Sequence, residues 1–323
     1  MATIDILSIQ PSAINRSLSG KTILLAGPPK IGKSEFCAQS PDTLILDLEN
    51  GYNAHPGVIK TQITKWSEIK QIVKQLEKPD AQAKFKNVVI DTLNEAWDLC
   101  TEFICQQAGV QKIKDIAYGQ GYKDRDAEFA NTLRKIINLG YGLIVTCHTK
   151  TAVIGTEGDV DIVSIEPDLD KRCVPIINGL VDIMSMITKT WNKEIQDWDR
   201  WLYTKSTPTI TAGTRLKYLA PKIPFGYQFL EDAVVKALEE NAKHGAKIID
   251  GPTIRAEEKL VFSEVRDKAK ELWTTLIGRD EENANVILKK IEIIMGHRMK
   301  LSEFTEDQTD LLNLVVNEME EML

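Results

Sequence analysis

Between about Lys21 and Ala220, short apolar runs alternate with longer amphipathic ones. The runs "TILLAG", "TLILDLE", "NVVIDTL", "GLIVTCH" and "VDIMSMI" have the length of buried strands, with helical patterns between most of them. In "WSEIKQIVKQLEK" the apolar residues Ile69, Ile72, Val73 and Leu76 recur at i, i+3, i+4 and i+7, one face of a helix. Strands alternating with helices predict an α/β fold, a mostly parallel sheet between helices. "RWLYTK" and "TRLKYLA" read as later strands at an antiparallel edge. Two stretches break the rhythm: Gly109–Asp126, rich in Gly, Lys and Arg, and Thr149–Arg172, long and polar with two glycines. Loops of that length inside a compact domain are usually functional or mobile, and both stretches are expected to be such loops.

From Gly226 a helical pattern runs to Gly245, followed by a linker-like "DGPT". Beyond Arg255 the chain reads as helices only, with Ser302, Thr305 and Glu306 as a cap before the last. Three parts are expected: an N-terminal segment 1–20, a core 21–250 and a small all-α domain 253–323. The 323 residues, 43% hydrophobic and 27% charged, match a globular protein that needs no covalent staples. The first twenty carry no long apolar run, and no stretch reaches the ~18 apolar residues that cross a bilayer. A cytoplasmic protein without a signal peptide or membrane partner is expected. Five cysteines, without a C-x-x-C pair or Cys/His cluster, are expected to be buried or reduced thiols, not zinc ligands or disulfides.

Charge divides unevenly. Residues 253–323 carry sixteen acidic and ten basic side chains, so −6 of the net −7 lies there. An acidic total argues against adhesion to nucleic acid through bulk charge, but it leaves room for a local basic channel in the near-neutral remainder. The acidic tail either keeps the chain soluble or docks on a basic partner.

Gly27-Pro28-Pro29-Lys30-Ile31-Gly32-Lys33-Ser34 fits G-x-x-x-x-G-K-[ST], the phosphate-binding loop, with a strand before it and a helix after. Backbone N–H groups from Lys30 to Ser34 point at phosphate, so the two prolines, earlier in the loop, stiffen it without removing a donor. Lys33 reaches the β/γ oxygens, and the Ser34 hydroxyl holds Mg²⁺. Gly27, Lys30, Ile31, Gly32, Lys33, Ser34 and Glu35 are therefore candidate nucleotide contacts. Such a site needs a second apolar strand ending in an acid that orients the Mg²⁺ water. "NVVIDT" supplies Asp91, and "LILDLENG" offers Asp47 and Glu49 beside the attacking water. Tyr52, Tyr118 and Tyr122 are candidates to stack on adenine or on bases.

A phosphate loop, one short helix and a strand ending in an acidic pair resemble the RecA-type core. That resemblance implies a RecA-like P-loop NTPase fold binding ATP and Mg²⁺. It makes Glu49 in "ILDLENG" the catalytic base, Asp91 the metal-site acid and His148 in "LIVTCHTK" the γ-phosphate sensor. It also makes Gly109–Asp126 and Thr149–Arg172 the two DNA-binding loop regions, with Lys112, Lys114, Lys123, Arg125, Lys150, Lys171 and Arg172 as their basic positions. Lys205 and Arg215 in "TKSTPTITAGTR" would enter a neighbouring subunit's nucleotide site, so a homo-oligomer, ring or filament, is implied.

More narrowly, "SLSGKTILLAGPPKIGKSEF", "ILDLENGY", "VVIDTLNEAWDLC", "TCHTK" and "TKSTPTITAGTR" resemble the phage-encoded RecA-like ATPases of the Sak type, implicated in single-strand annealing and recombination. The resemblance spans about residues 15–230. It implies a DNA-dependent ATPase of weak turnover acting on single-stranded DNA in a bacterial host's cytoplasm. The acidic helical tail would dock a single-strand-binding protein or mask the DNA site. Three positions depart from the pattern. His148 stands where RecA has Gln, Glu35 stands where a hydroxyl residue often follows the loop, and no strict K-x-R pair is present. A charge at Glu35, so near phosphate, is expected to weaken nucleotide binding. The rival readings are a ring helicase or helicase loader, a small-molecule kinase and a non-hydrolysing nucleotide-binding interaction protein.

Overall fold

The computed structural model describes residues 14–157, 160–245, 248–249 and 260–323. The chain divides into two compact units, Pro11–Arg255 and one that includes Ala256–Leu323. In the larger unit the strands are β1 (Thr22–Ala26), β2 (Thr43–Asp47), β3 (Ile59–Gln62), β4 (Asn87–Asp91) and β5 (Gly142–Cys147). There follow β6 (Thr149–Glu157), β7 (Val160–Pro167), β8 (Ile183–Asn192), β9 (Asp197–Tyr203), β10 (Gly213–Thr214) and β11 (Lys222–Pro224). Its helices are α1 (Lys33–Ala38), α2 (Trp66–Leu76), α3 (Pro79–Lys84), α4 (Leu93–Gln107), α5 (Gln120–Asn138), α6 (Cys173–Leu180) and α7 (Tyr227–Lys243).

Nine strands form one sheet in the order β11-β9-β8-β1-β5-β4-β2-β3, with β10 beside β8. From β8 to β3 the strands along this path are parallel, while β9, β10 and β11 add an antiparallel edge. Strands buried on both faces read as unbroken apolar runs, which is why these were visible in the sequence. Leu24, Leu46, Val88 and Val145 meet Ile69, Val73, Leu93, Trp97 and Phe129 of α2, α4 and α5 on one face. Ile23, Leu25, Ile45, Val89 and Ile144 meet Phe36, Leu230, Val234 and Leu238 of α1 and α7 on the other.

Register decides where chemistry collects. Ala26 pairs with Cys147 and Asp47 with Asp91, so β1, β2, β4 and β5 finish together at one sheet edge. That edge, at the carboxyl ends of parallel strands, is where α/β sheets bind ligands. β5 stands between β1 and β4, which sets the strand leading to His148 between the phosphate loop and Asp91.

Three segments differ from expectation. Thr149–Arg172 is no open loop, because β6 and β7 pair antiparallel over most of it. Its polar Thr, Lys and Glu alternate with Val and Ile, and β-branched residues favour the pleated strand. Gly109–Asp126 is only partly loop, since α5 begins at Gln120 after short turns at Ile113–Asp115 and Ala117–Gly119. In "TRLKYLA" only Thr214 belongs to a strand. Leu219 N–H then turns back to Leu216 O, and Pro221 follows without an N–H.

The second unit packs α8 (Phe262–Arg279), α9 (Asn283–Met295) and α10 (Thr309–Glu320) around Ala269, Leu276, Ile287, Ile291, Leu312 and Val315. Thr305 N–H donates to Gln308 Oε1 in the turn before α10. The linker-like "DGPT" and residues 1–13 lie outside the described residues. The five cysteines are buried and free, and burial pushes the Cys147 and Cys173 thiols up to about 12. Among the described residues no helix is long and apolar enough to cross a membrane.

Candidate functional site: a phosphate loop with an acid and histidine cluster

Gly27 N–H donates to Cys147 O at 3.2 Å, which ties the start of the loop to β5. Lys30 (φ 61°) and Gly32 (φ 115°) take left-handed conformations. Left-handed turns among right-handed ones aim successive N–H groups into one concavity, a nest for an anion. A left-handed non-glycine residue costs about 1–2 kcal/mol, which marks Lys30 as held there by its surroundings. At Gly32 the left-handed φ disfavours any side chain, and a Cβ would lie 2.4 Å from Arg200 Nη1, so the arginine end would have to move.

Lys33 folds back over this concavity. Its Nζ donates to Gly27 O at 2.8 Å and Pro28 O at 3.1 Å, and it lies 3.4 Å from His148 Nδ1. Burial pushes its pKa below the ordinary lysine value, and the nearby Asp91 charge opposes that shift. Asp91, only 4% exposed, accepts from three hydroxyls: Ser34 Oγ at 2.9 Å, Tyr52 OH at 2.7 Å and Thr146 Oγ1. Hard oxygens of Ser34 and Asp91 side by side are the donor set that suits Mg²⁺.

Glu49 and Asp47 part company. Asp47 is buried, accepts from Lys60 Nζ at 2.9 Å and Gly51 N at 3.0 Å, and is thereby spent on structure. Glu49 Oε1 accepts from Thr92 Oγ1 at 2.7 Å and lies 3.2 Å from His148 Nε2, at the open side of the cluster. The His148 ring thus spans Lys33 and Glu49. Its backbone carbonyl accepts from Asp168 N at 2.8 Å, just past the end of β7, so the ring sits at the base of the β6–β7 hairpin.

Other expected residues fall elsewhere. Tyr52 is corrected: it is 1% exposed, packed in the core with its hydroxyl on Asp91, and offers no ring to a base. Arg125 is corrected as well. It is 4% exposed, pairs with Asp126 at 2.9 Å and stacks 3.9 Å from the Trp97 ring, so no DNA phosphate reaches it. Arg172 is exposed, pairs with Asp126 and lies over Tyr122. Lys150 pairs with Asp168, while Lys112, Lys114, Lys123 and Lys171 are exposed. Arg215 binds Asp182 Oδ1 and Gly179 O, and Asp182 also accepts from Thr22 N at the start of β1. Arg215 therefore sits at the far end of β1 from its own chain's phosphate loop. Lys205 donates to Lys217 O.

Sequence reasoning missed Thr92, Thr146 and Arg200. Arg200 Nη1 donates to Ile31 O at 3.1 Å and Glu35 Oε2 at 2.8 Å. The signal for Arg200 was Glu35 itself, a carboxylate beside an anion cradle that calls for a cation.

A family model for the AAA domain matches residues 19–216, which takes in the sheet from β1 through β10 and every residue of the cluster. The chain belongs to the AAA domain family. In this AAA domain the core is a RecA-like P-loop ATPase fold, with β5 inserted between β1 and β4. Along its whole length the chain is similar to YorG, an SPbeta prophage-derived protein of Bacillus subtilis (strain 168). The two are 26% identical over 333 residues, covering 99% of each. Two solved structures also match at 12% identity, each covering 64% of this chain and 85% of its own. They are the flagellar accessory protein FlaH of Methanocaldococcus jannaschii (TM-score 0.34) and the KaiC-like protein PH0186 of Pyrococcus horikoshii OT3 (TM-score 0.33).

Proposed function

We propose that this AAA domain protein binds and hydrolyses ATP and acts on single-stranded DNA in phage recombination or annealing. The observation that carries the reading is the His148 ring between Lys33 and Glu49, at the base of the β6–β7 hairpin. It joins the phosphate loop, the candidate base and the β6–β7 hairpin in one chain of contacts. Similarity to a prophage-derived protein over its full length supports the phage setting.

Lys33 exchanges its loop carbonyls for β/γ-phosphate oxygens when nucleotide enters. Ser34, and Asp91 through water, would hold Mg²⁺, which offsets phosphate charge. Glu49, held by Thr92, takes a proton from the attacking water. His148 reports the γ-phosphate to the hairpin, so DNA affinity follows the nucleotide state. Lys205 or Arg215 of a neighbouring subunit completes the site, and turnover needs the oligomer. Exposed Lys112, Lys114, Lys123 and Lys171, with the exposed ring of Tyr118, supply the DNA face. The acidic helical unit docks a single-strand-binding protein.

The test is ATP turnover with and without single-stranded DNA, for wild type and Lys33→Ala. Stimulation by DNA that Lys33→Ala abolishes is expected. Absence of both hydrolysis and DNA binding sinks the reading, and an annealing assay against a forked-duplex unwinding assay separates it from a ring helicase or loader.

A further inference from the structure

Glu35 directs a carboxylate at the rim of the phosphate loop, and the chain answers it from 165 positions away. Arg200 reaches across from β9. Its guanidinium rests 4.8 Å from the Phe225 ring centroid, donates to Ile31 O and Glu35, and fits only because residue 32 is glycine. Backbone, ring and carboxylate therefore position this cation against the loop itself. Guanidinium has five N–H donors. Among the described residues its hydrogen bonds leave only from Nη1, so those of Nε and Nη2 are open to a ligand. The pair is 39% and 46% exposed, a setting in which an ion pair contributes little. Phosphate takes guanidinium through two parallel bonds and outcompetes a single carboxylate oxygen.

We propose that Arg200 is a phosphate-binding arginine supplied within the same chain, and that Glu35 is its built-in competitor, displaced when nucleotide binds. The inference rests on the nucleotide-binding reading above and adds a regulation to that site. Glu35 holds the cation in place over the empty loop and sets the affinity below what Lys33 and Arg200 together would give. The departure at Glu35 is then one half of a device whose other half lies on β9.

A double-mutant cycle tests this on the full chain, with ADP and Mg²⁺ titrated calorimetrically into wild type, Arg200→Gln, Glu35→Gln and the double variant. Arg200→Gln is expected to weaken ADP binding about tenfold or more, the loss of a charge-assisted bond. Glu35→Gln is expected to tighten it about three- to fivefold, the worth of a half-exposed competitor. That gain should vanish in the Arg200→Gln background. An Arg200→Gln affinity within about twofold of wild type overturns the proposal, since a lost phosphate bond exceeds that. A Glu35→Gln gain that persists or grows without Arg200 also overturns it, because plain repulsion from phosphate then explains the effect. Weaker binding in both single variants, with lowered melting temperatures, marks a structural brace and overturns it too. Wild type that binds no ADP brings down the nucleotide-binding reading itself. Wild type that binds while Arg200→Gln binds equally well removes only this proposal.

Discussion

On one flank of the phosphate loop, a nearly buried Asp91 accepts three hydroxyls and His148 joins Lys33 to Glu49. On the other flank, Glu35 and Arg200 meet in a half-exposed pair 2.8 Å apart. Both flanks are polar, yet water treats them differently. The network around Asp91 is buried and must be satisfied completely, because an orphaned member costs its full desolvation. An exposed pair always has water as an alternative partner and is cheap to open. The first flank is suited to fixed chemistry, the second to adjustment.

Substitutions can break that contrast. Glu49→Gln should lower kcat by roughly 10²–10⁴-fold while ADP affinity stays near wild type, as loss of a proton acceptor does. Steady-state phosphate release with a parallel ADP titration checks it. Lys33→Ala should cost roughly 10²–10³-fold in turnover, the scale of one preorganised phosphate donor, and weaken nucleotide binding as well. Asp91→Ala leaves three hydroxyls without their acceptor and should lose about 1–3 kcal/mol of stability in urea titration. By contrast, Glu35→Gln should move stability by no more than about 1 kcal/mol, the limit for exposed pairs. Equal losses for Asp91→Ala and Glu35→Gln would erase the distinction between the flanks.

Alkaline pH sharpens the same contrast. Burial lowers the Lys33 pKa in the folded, empty protein, so the unfolded chain holds that proton to higher pH. Where the unfolded state binds more protons, stability rises with pH. The Lys33 contribution to the empty protein should therefore grow between its lowered pKa and the ordinary lysine value. Phosphate needs the ammonium form, so ADP affinity should fall as pH climbs through the same window. Calorimetric titrations across alkaline pH check this, and a flat profile would mean that Lys33 keeps its proton throughout.

The central strands, the loop motif and the Asp91 strand were legible because each is a local pattern: an apolar run, a fixed spacing, an acid at a strand end. Glu49 was a candidate from its strand end, while its role as base and that of His148 as sensor came through resemblance, and the structure sets His148 between Lys33 and Glu49. Arg200 was not legible, since its meaning lies in a contact between β9 and a loop far earlier in the chain. Tyr52 and Arg125 misled for a related reason. An aromatic beside an acid and an arginine among lysines look like ligand contacts, and only packing shows them turned inward. The β6–β7 hairpin was read by its polarity when its alternation carried the signal.

The neighbours of β1 carry a consequence for how the protein is made. Thr22–Ala26 leaves the ribosome well before its neighbours, since it is flanked by Gly142–Cys147 and Ile183–Asn192. At ordinary elongation rates the strand waits roughly ten seconds for the first neighbour. During that wait it is an apolar ribbon with two open edges, the kind of segment that pairs with other chains. A nascent chain that stalls before Ile183 already holds the complete phosphate-loop motif, yet it lacks the sheet that gives the motif its shape. Synthesis of this protein therefore favours a chaperone on the early chain, and its truncation products are expected to aggregate before they bind any nucleotide.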